Sequence, residues 1–335
     1  MGLMWSRWCA ATEVIVSCLV VAAAPAATRP HYGGTLRIEI LPAAQAPAAV
    51  GVTEGFIITN WDPGLRAVFS ADDNAPGGRP FLDTIDIEMA RPLRDQSVDL
   101  ELGRTDLVEL GPNELRRQTA GRRVWSSSPV RLMALVFGPR IDDARVRQAL
   151  ALTLDRAALN VLLQRQGEIS GALLPQWLSG YAFLFGATAD IAKARSLAGE
   201  LPAAARTLSL SADDPAMRSL ADRIALNARD AGLTVNVVAP SGNPDVRLSE
   251  ARITSSDPAH ALAGVAATLG LGESPKADAP EALYAAERAL LEGFRVIPLV
   301  HLPVVYGVGP RVKGGPGVTP LGEWRFGNLW VEDRP

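Results

Sequence analysis

The sequence predicts an α/β protein, because segments with strand periodicity alternate along the chain with segments of helical periodicity. The clearest unit joins a strand over Thr207–Ser211, a helix over Pro215–Ala231 and a strand over Leu233–Ala239 through short links. Such a strand–helix–strand unit is a βαβ crossover, and its two strands run parallel. The apolar runs Arg131–Phe137 and Val296–Val308 are typical of strands that are covered on both faces.

The first third of the chain favours short strands separated by turns. Thr35–Ile40 alternates apolar and polar residues, and Thr84–Met89 repeats this alternation. The segment Leu41–Val50 is rich in Pro and Ala and predicts a loop or linker. Two further strands, Phe56–Ile58 and Leu65–Phe69, surround the turn Asp62-Pro63-Gly64.

Three helices are expected in the rest of the chain. Asp142–Arg165 has an apolar stripe and an aspartate at its start that can cap it. The helix over Pro215–Ala231 ends before Gly232, which suits the left-handed conformation that often closes a helix. A third helix fits Pro280–Glu292.

Composition excludes several function classes. The 335 residues hold 33 basic and 36 acidic side chains, a net charge of −3, so no excess of positive charge exists to bind nucleic acid. The two cysteines, Cys9 and Cys18, both lie near the N-terminus. If that segment is removed, thiol catalysis, thiolate zinc sites and disulfides are excluded. No motif of a hydrolase, a phosphate-binding loop or a dinucleotide-binding loop is present, so we expect no enzyme, no cofactor and no metal site.

The N-terminus predicts an export signal over residues 1–26. Val14–Ala24 is an apolar run too short to span a membrane, and Ala24-Pro25-Ala26 offers small residues for cleavage. The alternative is a lipoprotein signal with a lipid anchor at Cys18, because Ile15–Cys18 loosely fits a lipobox. Either signal predicts a periplasmic or other extracytoplasmic location.

Several segments, taken in order, resemble the family 5 extracellular solute-binding proteins of ABC importers. The most specific is Ile141–Leu159 (IDDARVRQALALTLDRAAL), which is similar to a helix of that family. The other similar segments are Gly33–Ile38, Gly51–Asp62 with Pro63 and Gly64, Gly78–Ile85, Leu102–Leu107, Asp190–Leu197, Leu208–Val238 and Arg295–Gly314.

This resemblance implies a two-lobed clamshell of the type II periplasmic-binding-protein class, in a reduced version. Family members carry an additional domain where this chain has only the ten residues Leu41–Val50. The implied domains are a first α/β lobe at 33–137, to which the C-terminal segment 309–335 returns, and a second α/β lobe at 138–308.

The resemblance also places candidate ligand-binding residues. Arg252, Thr254, Ser255 and Asp257 match the stretch in which peptide binders of the family hold the peptide's amino terminus. Thr254 replaces the aspartate of that stretch, and a neutral hydroxyl lacks the charge that an ammonium group needs. Arg252 is a candidate anion anchor or an outward strand residue, and Asp257 is a ligand contact or a helix cap. Gln45 is a candidate on the first lobe.

The sequence therefore predicts an exported solute-binding protein that delivers a small polar solute, or a peptide, to membrane permease subunits. We expect a monomer that closes its cleft on the ligand. The alternative is a degenerate family member that acts as an envelope scaffold without transport. The missing domain favours that alternative, because its loss exposes apolar surface that partners can bind.

Overall fold

The structure, a computed structural model, describes residues 29–52, 55–117, 123–179, 185–240, 243–273, 279–315 and 317–332. The predicted signal at 1–26, with Cys9 and Cys18, lies outside the described residues. The strands are β1 (Thr35–Glu39), β2 (Phe56–Asp62), β3 (Arg66–Ala71), β4 (Thr84–Glu88), β5 (Leu107–Glu109), β6 (Arg123–Phe137), β7 (Glu168–Ile169), β8 (Thr207–Ala212), β9 (Thr234–Val237), β10 (Val246–Arg252), β11 (Val296–Val308), β12 (Val312–Lys313) and β13 (Trp330–Val331). The helices are α1 (Leu93–Glu101), α2 (Pro112–Arg117), α3 (Ala144–Leu152), α4 (Arg156–Leu162), α5 (Gln176–Ser179), α6 (Ile191–Glu200), α7 (Arg218–Asp230), α8 (Pro258–Thr268) and α9 (Pro280–Leu291).

Eleven strands of the described chain form one continuous sheet, which confirms the predicted α/β class. The order is β2-β3-β4-β1-β5-β11-β6-β10-β8-β9, with β7 beside β11. Strand β1 runs parallel to β4 and β5 in one half, and β8 runs parallel to β9 and β10 in the other. The β8–α7–β9 unit is the crossover that the sequence predicts.

Two long antiparallel strands, β6 and β11, lie in the middle of the sheet. One end of β11 pairs Val296 with Val136, and the other end pairs Val308 with Arg123 and with β5. The register between these strands shifts at three places, between Pro298 and Val305. Irregular pairing at the middle of the two strands gives the sheet a place to bend between the lobes.

The helix predicted over Asp142–Arg165 is two helices, α3 and α4. Asp143 caps α3 by accepting from the Arg145 N–H, and Asp155 caps α4 by accepting from the Ala158 N–H at 3.0 Å. The break at Thr153–Asp155 redirects the chain so that Leu150, Leu154 and Leu159 enter one core. A second capping aspartate inside the predicted helix is the signal for this break.

The C-terminal segment packs against the first lobe through a buried carboxylate. Asp106, at the start of β5, accepts from the Arg37 backbone and side chain and from Arg311 at 3.1 Å. The backbone N–H of Gly309 donates to the Asp106 carbonyl at 2.8 Å. The segment after β11 thus packs beside β1 and β5, and the domain boundaries given above, with the return of this segment to the first lobe, stay a prediction.

Candidate functional site

A cavity of about 500 Å³ takes its lining from both halves of the sheet. The chain enters it at Pro42 after β1, at Leu110 after β5 and at Asp214 after β8. Ligand sites of open α/β sheets lie beyond the carboxyl ends of parallel strands, and these three positions fit that rule. The volume falls in the usual range for small-molecule sites.

Glu109, the last residue of β5, lines the cavity. Its Oε2 atom accepts from the Leu41 backbone N–H at 2.7 Å, while its own N–H donates to Gln96 at 2.9 Å. Burial raises the pKa of the Glu109 carboxyl, and the positive charges of Arg131 and Arg252 oppose that rise. Within the described chain, no basic side chain forms an ion pair with Glu109. The carboxyl group of Glu109 therefore has a fixed position in the cavity, and no basic side chain of the described chain contacts it.

Arg131 and Glu250 form a paired group on the adjoining strands β6 and β10. The guanidinium donates to both carboxylate oxygens, at 2.8 and 2.6 Å. Burial lowers the pKa of Arg131, but the bond to Glu250 and the negative charges of Glu250, Glu109 and Asp214 together outweigh burial, and the pKa is raised overall. Arg131 also faces Arg252 in the strand register, so Glu250 offsets the repulsion between the two arginines.

Arg252 lies at the end of β10 and also lines the cavity. Its Nη2 atom donates to the carbonyl oxygens of Leu321 and Gly322, at 3.3 and 3.2 Å. Strand β10 is therefore tied to the C-terminal segment of the chain. The guanidinium enters the cavity with part of its hydrogen-bonding capacity already used.

Tyr306 closes the side of the cavity next to β5. It pairs with Glu109 across β11 and β5, and its ring contacts Trp324 edge to face with centroids 5.8 Å apart. Only 4% of Tyr306 is exposed, and burial raises the pKa of its hydroxyl well above the usual range. The hydroxyl therefore stays protonated at neutral pH.

Of the five candidate residues from the sequence, Arg252 alone lines this cavity. Thr254 and Ser255 follow β10 outside the lining, and Asp257 caps α8 by accepting from the His260 N–H at 2.8 Å. Gln45 is exposed and donates to the Ala43 carbonyl at 3.1 Å. The ligand roles of these residues stay untested predictions, and the helix-cap alternative describes the observed position of Asp257.

The sequence analysis did not identify Glu109, Arg131 or Glu250 as site residues. Glu109 comes just after the family-like segment Leu102–Leu107, and Glu250 lies two residues before Arg252. Their closeness to these positions could have indicated that both residues belong to the site. The pairing of Arg131 with Glu250 had no such signal, because 119 residues separate them.

The buried histidine of β11 lies outside the cavity lining and contributes to packing. His301 is fully buried, and its Nε2 atom is 2.9 Å from the Leu173 carbonyl oxygen. Burial lowers the pKa of His301 to about 4, so its imidazole is neutral at physiological pH. Across the described residues, no three His, Cys, Asp or Glu side chains gather as a metal site. None of the described helices is long and apolar enough to cross a membrane.

Comparison with known proteins gives one family and one fold. The family profile of bacterial extracellular solute-binding proteins, family 5 (Middle), matches residues 38–270. The search of curated proteins found no match.

Three solved structures illustrate the likeness in fold. The ABC transporter substrate-binding protein CtaP of Listeria monocytogenes is 14% identical with a TM-score of 0.68, over 83% of this chain and 66% of that chain. The murein tripeptide binding protein MppA of Escherichia coli is 16% identical with a TM-score of 0.68, over 84% of this chain and 64% of that chain. MoaA of A. tumefaciens R10, in complex with mannopinic acid, is 18% identical with a TM-score of 0.67, over 84% of this chain and 66% of that chain. This chain thus spans just under two thirds of the length of these three proteins, and the likeness establishes the fold alone.

Proposed function

The chain belongs to the bacterial extracellular solute-binding proteins of family 5, and we propose that it binds a small polar solute between its lobes and delivers it to the permease of an ABC importer. The observation that carries this proposal is the cavity at the strand ends, which takes residues from both lobes. A solute there touches Glu109 of the first lobe and Arg252 of the second. The proposed role is binding without catalysis, by a monomer outside the cytoplasm.

Closure of the cleft is the proposed signal to the permease. A ligand shifts an open–closed equilibrium only by its difference in affinity for the two states. Contacts with both lobes are complete only when the lobes approach, so a bound solute favours the closed form. The register shifts between β6 and β11 supply the hinge at which this motion takes place.

The solute class is open to peptides and to other small polar molecules. MppA is described as binding a murein tripeptide, and the MoaA structure holds mannopinic acid. This chain shares the fold of both proteins, so both kinds of solute belong in a ligand screen. A cavity of about 500 Å³ favours a solute no larger than a short peptide.

A thermal-shift screen of the purified protein tests the proposal. A ligand at 100 times its Kd stabilises the folded state by about 2.7 kcal/mol. For a chain of this size, that gain raises Tm by about 4 °C. Small-angle scattering with the same ligand should show a smaller radius of gyration, because the cleft closes.

A matched pair of variants locates the site. Ala216→Trp places a bulky ring in the cavity lining and should abolish the Tm shift and the compaction. Ala267→Trp makes the same change on an exposed face of α8, outside the lining, and should retain both. Loss of the ligand response in both variants, or in neither, would argue against this cavity as the binding site.

A scaffold role without transport is the second candidate, and the edge strand β2 favours it. Ile57 is 54% exposed and Ile58 is 40% exposed on this strand. An open, apolar sheet edge is a surface that another chain can pair with. Pull-down from the native envelope separates the two roles. Recovery of permease subunits supports transport, and recovery of unrelated partners without a ligand response supports the scaffold.

A further inference from the structure

The ionisable side chains that line the cavity carry more negative than positive charge. Two arginines face four acidic residues, and the six are Arg131, Arg252, Glu109, Glu114, Asp214 and Glu250. The lining has a net charge of −2 with all six ionised and of −1 with Glu109 protonated, so it is negative in either state. A cleft lined by one sign of charge concentrates ligands of the opposite sign.

Both arginines of the lining are already engaged by the protein. Arg131 is held by two bonds to Glu250, and Arg252 donates to the carbonyl oxygens of Leu321 and Gly322. An anionic solute would have to displace or share these partners before it gained a guanidinium contact. The two arginines therefore have fewer free N–H groups for an anionic solute than two unpaired arginines would have.

Glu109, in contrast to Arg131, has no oppositely charged partner in the described chain. One of its oxygens is held at 2.7 Å by the Leu41 N–H, and no cation contacts the carboxyl group within the described chain. A carboxylate that is partly removed from water without a counter-charge is destabilised. A ligand that brings a positive group to Glu109 removes that destabilisation, and this gain adds to the affinity.

The helix that begins at the cavity does not reverse this charge balance. Leu93 is the first residue of α1 and lies in the lining, so the positive end of the helix dipole faces the cavity. That end is equivalent to roughly half an elementary charge. The value is smaller than the acidic excess, and Asp95 in the first turn of α1 partly neutralises it.

We propose that the cleft selects a positively charged solute and that Glu109 is the carboxylate that contacts its cationic group. This inference rests on the proposed solute-binding function. The apolar side chains of Leu110, Met217 and Val304 line the same cavity and would contact the aliphatic part of the solute. The ligand class is therefore a small organic ammonium compound with an apolar portion.

Matched probe pairs test this charge selection by thermal shift and calorimetry on the full chain. The pairs are 1,4-diaminobutane with 1,4-butanediol and trialanine amide with N-acetyltrialanine amide, and succinate serves as an anionic probe. We expect a cationic member to stabilise the protein while its neutral counterpart and succinate do not.

Glu109→Gln tests the anchor itself. The glutamine oxygen still accepts from the Leu41 N–H, so the fold is preserved while the charge is lost. We expect this variant to bind the cationic probe about 10- to 100-fold more weakly, as for loss of a charge-assisted hydrogen bond. Glu88→Gln, at the exposed end of β4 and outside the lining, removes the same charge and should bind as the wild type does.

The outcomes separate failure of the inference from failure of the function. If neutral probes or succinate stabilise the protein and cations do not, the chain binds solutes and the charge selection is wrong. If the cation binds equally well to Glu109→Gln, the assignment of Glu109 is overturned. If no probe of any charge stabilises the protein, the proposed solute-binding function fails, and the inference fails with it.

Discussion

Replacing Asp106 with asparagine should destabilise the protein by about 3–5 kcal/mol, the usual loss when one partner of a buried ion pair is removed. The Asp106 side chain is 3% exposed and contacts two guanidinium groups, of Arg37 at 3.2 Å and of Arg311 at 3.1 Å. Hydrogen bonds to charged groups contribute about 1.5–3 kcal/mol each. Arg37 and Arg311 are 32% and 21% exposed, so water partly solvates them once the carboxylate is gone. That solvation places the expected loss at the lower end of the range.

Urea unfolding followed by circular dichroism measures this loss. With a slope of about 3 kcal/mol per molar urea, the midpoint should fall by roughly 1 M. Asp86→Asn is the matched control, because the Arg66–Asp86 pair has similar geometry, but the two side chains are 52% and 22% exposed. An exposed pair contributes at most about 1 kcal/mol. Equal losses in the two variants would refute the reasoning, since burial would then not decide the strength of the pair.

Hydrogen exchange gives a second reading of the same substitution. Asp106 joins the C-terminal segment to β1 and β5, so its loss should speed exchange at the amides of 309–332 more than at those of β8 and β9. Uniform acceleration over the whole chain would show that Asp106 stabilises the fold globally and does not anchor this segment.

Three further predictions test other parts of the structure. Burial lowers the pKa of His301 from 6.5 to about 4, so the unfolded chain takes up a proton first on acidification. Chemical denaturation should therefore show that wild type loses about 3 kcal/mol more than His301→Gln between pH 6.5 and 4, and parallel pH profiles would contradict this. Burial raises the pKa of Glu109, so the folded protein holds a proton that the unfolded chain has released. The stability of Glu109→Gln relative to wild type should thus increase as the pH rises above 4.5, the ordinary value for a glutamate carboxyl, and a constant difference would count against the raised pKa. In Gly171→Ala the new Cβ would lie 2.8 Å from the Phe185 backbone nitrogen, and urea unfolding should show a loss of about 1–3 kcal/mol. Gly199→Ala in α6 has open space and should gain about 0.5–1 kcal/mol, so equal effects of the two changes would contradict the packing argument.

Local patterns were enough to predict the β8–α7–β9 crossover and the strand β11. The apolar spacing of α7 and the alternation of the flanking strands depend only on nearby residues. Gly232 after α7 has a φ of +81°, the left-handed conformation for which glycine is suited at a helix end. The resemblance in ordered segments extended this to the family and its two-lobed fold.

Non-local pairing decided what local patterns did not show. The sequence predicted a strand only over Arg131–Phe137, but β6 begins at Arg123, because its polar first half pairs with β11. Non-local strand pairing also brings together the ionisable groups of the cavity. Glu109, Arg131 and Glu250 come from three strands far apart in sequence, and each residue alone resembles an ordinary strand charge. Sheet register brings Arg131 beside Glu250 and leaves Glu109 without an ion-pair partner in the described chain. The sequence by itself determined the class of fold and the family, while only the tertiary structure decided which charges face the cleft, because strand pairing sets those distances.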